Sequence, residues 1–282
     1  MDTFTLDIHG RLAVFDRPQV MAIVNVTPDS FYEGSRTFDS DAIRKRVRQI
    51  MDEGADMIDI GAYSSRPGAD DVSPDEETER LCRGIEAIRE EGCTLPLSVD
   101  TFRAKVAEEA IRMGADIIND ISGGTLDPDM FETVARLKVP YILMHMRGTP
   151  ATMQTLCRYD DVAADVTKEL AFSLARLNAL GVSDVIVDLG FGFAKTTEQN
   201  YELMRQMTEI KRLLNRPMLV GISRKSMLTR LLGINADEAL EATTALNAMA
   251  LDRGADILRV HDVRAARQCI DIYTALSHSP KQ

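Results

Sequence analysis

Polar residues stand where eight short apolar runs of the chain finish: Asn25, Asp59, Asp100, Asn119 with Asp120, His145, Asp188, Ser223, and Arg259 with His261 and Asp262. Each has an ordinary structural use, because Asx side chains cap helices and close turns, and an Arg–Asp pair stitches neighbouring strands. A polar residue at the end of every run is harder to explain that way. A buried carboxylate accepts from two N–H groups, while an amide sets a donor beside an acceptor, so Asp100, Asn119 and Asp188 suit the edge of a neutral heterocycle. The same oxygens suit a divalent cation, and at this point both readings stand. Three cations complement them: Arg66, Lys225 and Arg259 together fit a phosphate or diphosphate. A surface charge accounts for Arg66 best and Arg259 least.

Two long segments rich in Pro, Gly, Ser and charge, Thr27 to Gly34 and Ser64 to Ala69, follow the first two runs and are expected to close over substrate. After the sixth run, Gly190-Phe191-Gly192-Phe193 offers aromatics for an apolar wall. Ser223-Arg224-Lys225-Ser226 opens a helix whose N–H groups, with Ser226, suit a carboxylate. A plain basic helix start is the alternative.

The elements that position these residues repeat. Gly54-Ala55-Asp56, Gly114-Ala115-Asp116 and Gly254-Ala255-Asp256 each precede a short apolar strand, with the glycine suited to the left-handed end of a helix. Strand patterns begin at Val20, Met57, Pro96, Ile117, Tyr141, Val185, Met218 and Ile257. Helical periodicity fills Asp41–Asp52, Pro74–Glu90, Ala104–Met113, Pro128–Leu137, Val162–Leu180, Asn200–Leu214, Ala239–Arg253 and Val263–Leu276. Eight strand–helix alternations predict a closed parallel (β/α)8 barrel over residues 20–276, the fold that carries its chemistry at the carboxyl ends of its strands. Phe4 to Val14, turning at His9-Gly10, reads as a hairpin outside the repeat that plugs the amino end. No linker divides the 282 residues, so a single domain is expected.

Composition narrows the function. The chain is 45% hydrophobic and 27% charged, as in globular proteins with a sizeable core, and its formal charge of −11 argues against nucleic acid or an anionic membrane as partner. An anionic ligand must then be held by a local cluster of cations. Neither a signal-peptide pattern nor an apolar run of spanning length is seen, which points to a cytoplasmic protein. Cys82, Cys93, Cys157 and Cys269 are scattered and read as reduced thiols.

NVTPDSF at Asn25–Phe31, SRPGA at Ser65–Ala69, SVDT at Ser98–Thr101, IND at Ile118–Asp120, LMHMRGTPATMQ at Leu143–Gln154, GFGFAK at Gly190–Lys195, SRKS at Ser223–Ser226 and RVHD at Arg259–Asp262 resemble the dihydropteroate synthases, in one order from about Val20 to Leu276. The resemblance implies condensation of a dihydropterin hydroxymethyl diphosphate with 4-aminobenzoate, giving dihydropteroate and diphosphate for folate biosynthesis. It implies that Asp100, Asn119, Asp188 and Lys225 hold the pterin, that Arg259 and His261 bind the diphosphate, and that Asn25 ligates its Mg2+. Asp29, Ser65, Arg66 and Pro67 would belong to the closing loops, with Asp29 and Arg66 taking part in catalysis beside Asp100 and Lys225. Ser65, Arg66, Pro67, Phe193, Lys225 and Ser226 would receive the aminobenzoate. A homodimer through the last helices is implied too. Three positions depart from the usual pattern: Tyr63 in place of Glu, Ser65 in place of Thr, and Leu189 in place of Pro. Two rivals are a pterin-binding methyltransferase barrel, which would not need NVTPDSF and SRKS, and a non-catalytic pterin-binding paralogue, which loss of Asn25, Lys225 or Arg259 would favour.

Overall fold

The computed structural model describes residues 3–26, 40–63 and 72–277. The chain opens on an antiparallel pair, β1 (Phe4–Ile8) and β2 (Arg11–Phe15), registered Phe4 to Phe15 and Ile8 to Arg11. Its two-residue turn places His9 and Gly10 at φ 52° and 76°, and such left-handed turns match the twist of the strands they join. Eight parallel strands then alternate with helices: β3 (Gln19–Asn25), α1 (Ser40–Asp52), β4 (Met57–Gly61), α2 (Pro74–Glu90), β5 (Leu97–Asp100), α3 (Ala104–Arg112), β6 (Ile117–Asp120), α4 (Met130–Leu137), β7 (Tyr141–Met144), α5 (Val162–Ala179), β8 (Val185–Asp188), α6 (Thr197–Leu214), β9 (Met218–Val220), α7 (Ser226–Leu232), α8 (Leu240–Asp252), β10 (Ile257–Val260) and α9 (Val263–Ser277). Pairing of β10 with both β9 and β3 closes the barrel. The predicted (β/α)8 barrel with its hairpin is the observed architecture, and α7 is the short helix that SRKS opens. No helix among the described residues is long and apolar enough to cross a membrane.

Alternation along the strands divides the core. One register points inward, where Met21, Met57, Ile117, Ile142, Ile186, Leu219 and Ile257 meet Leu6 and Phe15 of the hairpin, so the hairpin does plug the amino end. The other register, including Val20, Ile58, Val99, Ile118, Leu143, Val187, Val220 and Leu258, packs against the helices. Inward positions two residues further along become polar: Asp59, Asn119, Asp188 and Arg259 follow Met57, Ile117, Ile186 and Ile257.

The Gly-Ala-Asp repeat is a joint with a definite chemistry. Asp56 accepts the Val20 N–H at 2.8 Å, Asp116 that of Leu97 at 2.7 Å and Asp256 that of Met218 at 2.7 Å. Each therefore satisfies a backbone donor in the first two residues of an adjacent strand. A helix-borne cation completes each one: Arg267 for Asp56, Arg89 for Asp116 and Lys211 for Asp256. Asp184 does a related job, accepting the Asp7 N–H at 2.8 Å and tying the hairpin to the barrel. The amino face thus carries carboxylates of its own, at Asp56, Asp116, Asp256 and Asp184. These carboxylates are consumed by backbone donors and cations.

Candidate active site

Strand period sorts the polar ring into two groups. Asp120, adjacent to inward Asn119, faces away from the lumen and closes the turn after β6. It accepts the Ser122 and Gly124 N–H groups at 2.7 and 2.8 Å and the Tyr141 hydroxyl at 2.8 Å. It is a structural residue. The inward group converges on Arg259, whose Nε donates to Asp59 at 2.6 Å and whose Nη2 donates to Asp100 at 2.7 Å. Asn119 donates to the same Asp59 oxygen at 3.0 Å. Asp59 thereby links β4, β6 and β10 and holds two candidate binding residues in place. Strand-end polarity marked it, but its central position came from burial, since it is fully enclosed.

The electrostatics of this cluster are finely opposed. Burial raises the Asp100 carboxyl to about 7, with Arg259 pulling it back down. Burial acts most strongly against the Arg259 charge, yet Asp59 and Asp100 together hold that guanidinium firmly protonated. Asp188 is also raised by burial and restrained chiefly by Lys225. Its Oδ1 accepts the Gly190 N–H at 2.8 Å. Lys225 is lowered to about 8, burial again being the main cause, with Asp188 opposing it.

Lys225 occupies the middle of the face. Its ammonium donates to Phe191 O at 2.6 Å and lies 4.7 Å from the centroid of the Phe193 ring, a cation–π distance. Gly221 leaves room beside it: a side-chain carbon there would lie 3.8 Å from both Asp188 Oδ2 and Lys225 Nζ. A methyl there would be in ordinary contact with Asp188, Lys225 and Arg259, so glycine leaves that much room free beside them. Ile121, Met144, Met146, Met153 and Ala194, with Phe102, Leu126 and Phe193 against them, form an apolar cluster separate from the main core. The polar cluster and the apolar cluster therefore meet at the Gly190–Phe193 turn.

His261 and Ser223 form a second group at the ends of β10 and β9, with Ser223 Oγ 3.0 Å from the His261 Nδ1. Arg46 donates to His261 O at 2.7 Å. Arg224, between Ser223 and Lys225, turns away and pairs through two nitrogens with Asp262 at 3.1 and 2.7 Å. Its φ of 57° is the bend that lets Ser223 and Lys225 project as they do. Ser226 begins α7 and is exposed, while Asn25 ends β3 half-buried, registered opposite Gly61 of β4. Asp29, Ser65, Arg66 and Pro67 lie outside the described residues. Among the departures from the resembled pattern, Leu189 is fully buried in the main core. Tyr63 packs edge-on to Phe102 at 5.2 Å, and the Arg103 guanidinium lies near both rings at 5.5 and 5.0 Å. An aromatic contact thus fixes Tyr63 at the end of the described segment.

Fold and site together define a barrel enzyme whose carboxyl face joins a buried carboxylate–amide cluster to paired cations and an apolar wall. Residues 21–261 match the family described as pterin binding enzymes. The dihydropteroate synthase of Synechocystis sp. is 43% identical over 263 residues, covering 92% of this chain and 90% of the relative. The structure of Xanthomonas albilineans dihydropteroate synthase with 4-aminobenzoic acid superposes with a TM-score of 0.91 at 37% identity, covering 99% and 100% of the two chains. A structure of the X. albilineans enzyme in complex with 7,8-dihydropteroate gives 0.88 at 35% identity, covering 98% and 100%. The chain belongs to the dihydropteroate synthase family of pterin binding enzymes, transferases of folate synthesis.

Proposed function

We propose that this chain condenses (7,8-dihydropterin-6-yl)methyl diphosphate with 4-aminobenzoate by a dissociative substitution. The observation that carries this reading is the junction at Lys225, where a cluster able to read a heterocycle, Asp188 with Asp100 and Asn119, meets cations and the Phe193 wall. Asp100 and Asp188 accept pterin N–H groups, Asn119 supplies a donor and an acceptor, and Lys225 donates to a ring acceptor. The C–O bond to diphosphate breaks with its electron pair, leaving positive charge spread over the pterin and its exocyclic methylene. Carboxylates beneath the ring favour that charge in a site sheltered from water. Arg259, released in part from Asp100, and His261 receive the departing diphosphate. The aryl amine then forms the C–N bond and gives up its proton to the diphosphate. The donors need no protein nucleophile.

The Phe193 ring packs against the aminobenzoate, and Ser226 with the start of α7 meets its carboxylate, with Ser65, Arg66 and Pro67 completing that subsite. We assign Asp29 and Arg66 a part in catalysis beside Asp100 and Lys225. Asn25 supplies one neutral, hard oxygen, which fits Mg2+ brought in by a diphosphate and keeping its waters better than a caged ion. Such an ion would neutralise charge on the leaving group.

Thr244, Ala245, Ala248, Ile272 and Leu276 line a groove of about 730 Å³ between α8 and α9, and we assign a second copy of the chain to it. Thr243, by contrast, is buried and accepts the Arg224 N–H at 3.2 Å.

Diphosphate release measured with each substrate alone and with both tests the reaction. Release that requires both, with dihydropteroate formed in equal amount, is expected. A methyltransferase would release none, and a non-catalytic paralogue would bind pterin without turnover.

A further inference from the structure

Lys195, the last residue of GFGFAK, takes no part in the roles above, yet it is one of the most deeply buried charged groups, with 3% of its surface exposed. Its ammonium has three acceptors, each at 3.0 Å: Gly190 O, Phe193 O and His145 Nδ1. In the protonated form three donors meet three acceptors, so the set is complete, although burial draws the ammonium down to about 7 with Asp188 opposing it. Because an ammonium only donates, the Nδ1 of His145 carries its lone pair and the Nε2–H faces Glu169 Oε2 of α5, 3.0 Å away. Burial and the neighbouring Lys195 push that imidazole down to about 4, in keeping with a neutral ring. Glu169, lowered to about 2 first by its bond to His145, is held in turn by Arg147 at 3.1 Å.

This chain of groups runs from the rim of the barrel inward and ends on the Gly190–Phe193 turn. That turn is difficult to hold. Gly190, Gly192 and Ala194 have φ of 67°, 84° and 49°, and left-handed backbone at Ala194 persists only where its surroundings enforce it. The turn also donates Gly190 N–H to Asp188, accepts Lys225 at Phe191 O and carries the Phe193 ring. Methionine would fill the space of Lys195 without the desolvation cost of an ammonium. What methionine would not do is clamp two carbonyls.

We propose that Lys195 is a positioning residue for the condensation: by gripping Gly190 O and Phe193 O it sets the turn that seats Lys225 and the Phe193 wall, and His145 and Glu169 brace it from behind. The proposal rests on the reading of function given above. A displacement of about 1 Å at such a support is enough to cost on the order of 100-fold in rate.

The test compares wild type, Lys195→Met, Lys195→Gln, His145→Gln and the Lys195→Met/His145→Gln pair in steady-state assays with both substrates, alongside thermal melts. Lys195→Met is expected to fold and to lose about 10- to 100-fold in kcat/KM, with a raised KM for 4-aminobenzoate. Lys195→Gln, which keeps an N–H donor for a carbonyl, is expected to recover part of the loss. The double variant should be no worse than Lys195→Met alone, since the brace acts through the ammonium. Wild-type kinetic constants per folded molecule in Lys195→Met would overturn the positioning role, and additive losses in the pair would overturn the brace. If Lys195→Met fails to fold, unaltered constants in Lys195→Gln and His145→Gln overturn the proposal equally. A wild type that releases no diphosphate sinks the functional reading and this proposal with it, whereas an active wild type with an unaffected Lys195→Met sinks the proposal alone.

Discussion

Asp100 and Lys225 bring opposite charges into one sheltered space, and burial works against both. The carboxyl rises to about 7 and the ammonium falls to about 8. A heterocycle that presents N–H groups to Asp100 needs the carboxylate, so affinity is present above about 7 and lost as pH falls through it. Lys225 must keep its proton to donate, so its contribution is lost as pH rises through about 8. The profile of kcat/KM for the pterin substrate should therefore be a narrow bell between those limbs. Asp100→Asn keeps the shape but cannot carry the charge. It should lower kcat/KM by roughly 10- to 100-fold and remove the acid limb, as expected for losing hydrogen bonds to a charged acceptor. An unchanged acid limb in that variant would move the titration to another group.

Elements decide how these residues meet. Gly190 shows the tolerance: a side-chain carbon there would lie 1.9 Å from His145 O, in addition to the left-handed φ of 67°. Gly190→Ala should cost at least about 2 kcal/mol in urea unfolding and disable the turn above β8. Much of this level could be read from the chain. Short apolar runs located the polar strand ends, and the repeated Gly-Ala-Asp located the joints, because both patterns are local. Alternation also separates inward Asn119 from outward Asp120, though the ring of polar residues alone does not. The partnership of Lys195 with His145 was not legible, for it joins residues 50 apart through side chains that no spacing rule connects. Nor was the central place of Asp59, which depends on three strands arriving at the same height.

At the scale of the whole molecule the barrel presents two faces with different economies of charge. Amino-face carboxylates are spent on neighbouring strands, whereas the carboxyl-face cluster retains open space beside Gly221. A third surface, on α8 and α9, exposes Ile272 and Leu276 at 64% and 75%. These are the residues that the proposed second copy would cover. Sedimentation should give twice the chain mass for wild type and a single chain mass for Ile272→Asp, and a monomeric wild type would remove the second copy from the groove.

The Asp56 joint has a consequence for the order of assembly. It ties Val20 at the start of the barrel to Arg267 in the final helix, Asp56 and Arg267 themselves standing 211 residues apart. Contacts this distant along the chain form late, after the intervening units have paid their loop entropy. The seam between first and last strand is then the natural site for the ring to open. Asp56→Ala should accelerate unfolding while leaving the refolding rate nearly unchanged, as stopped-flow measurements in urea would show. The lifetime of the closed ring, and with it of the active face above, is set at the end of the barrel where no chemistry occurs.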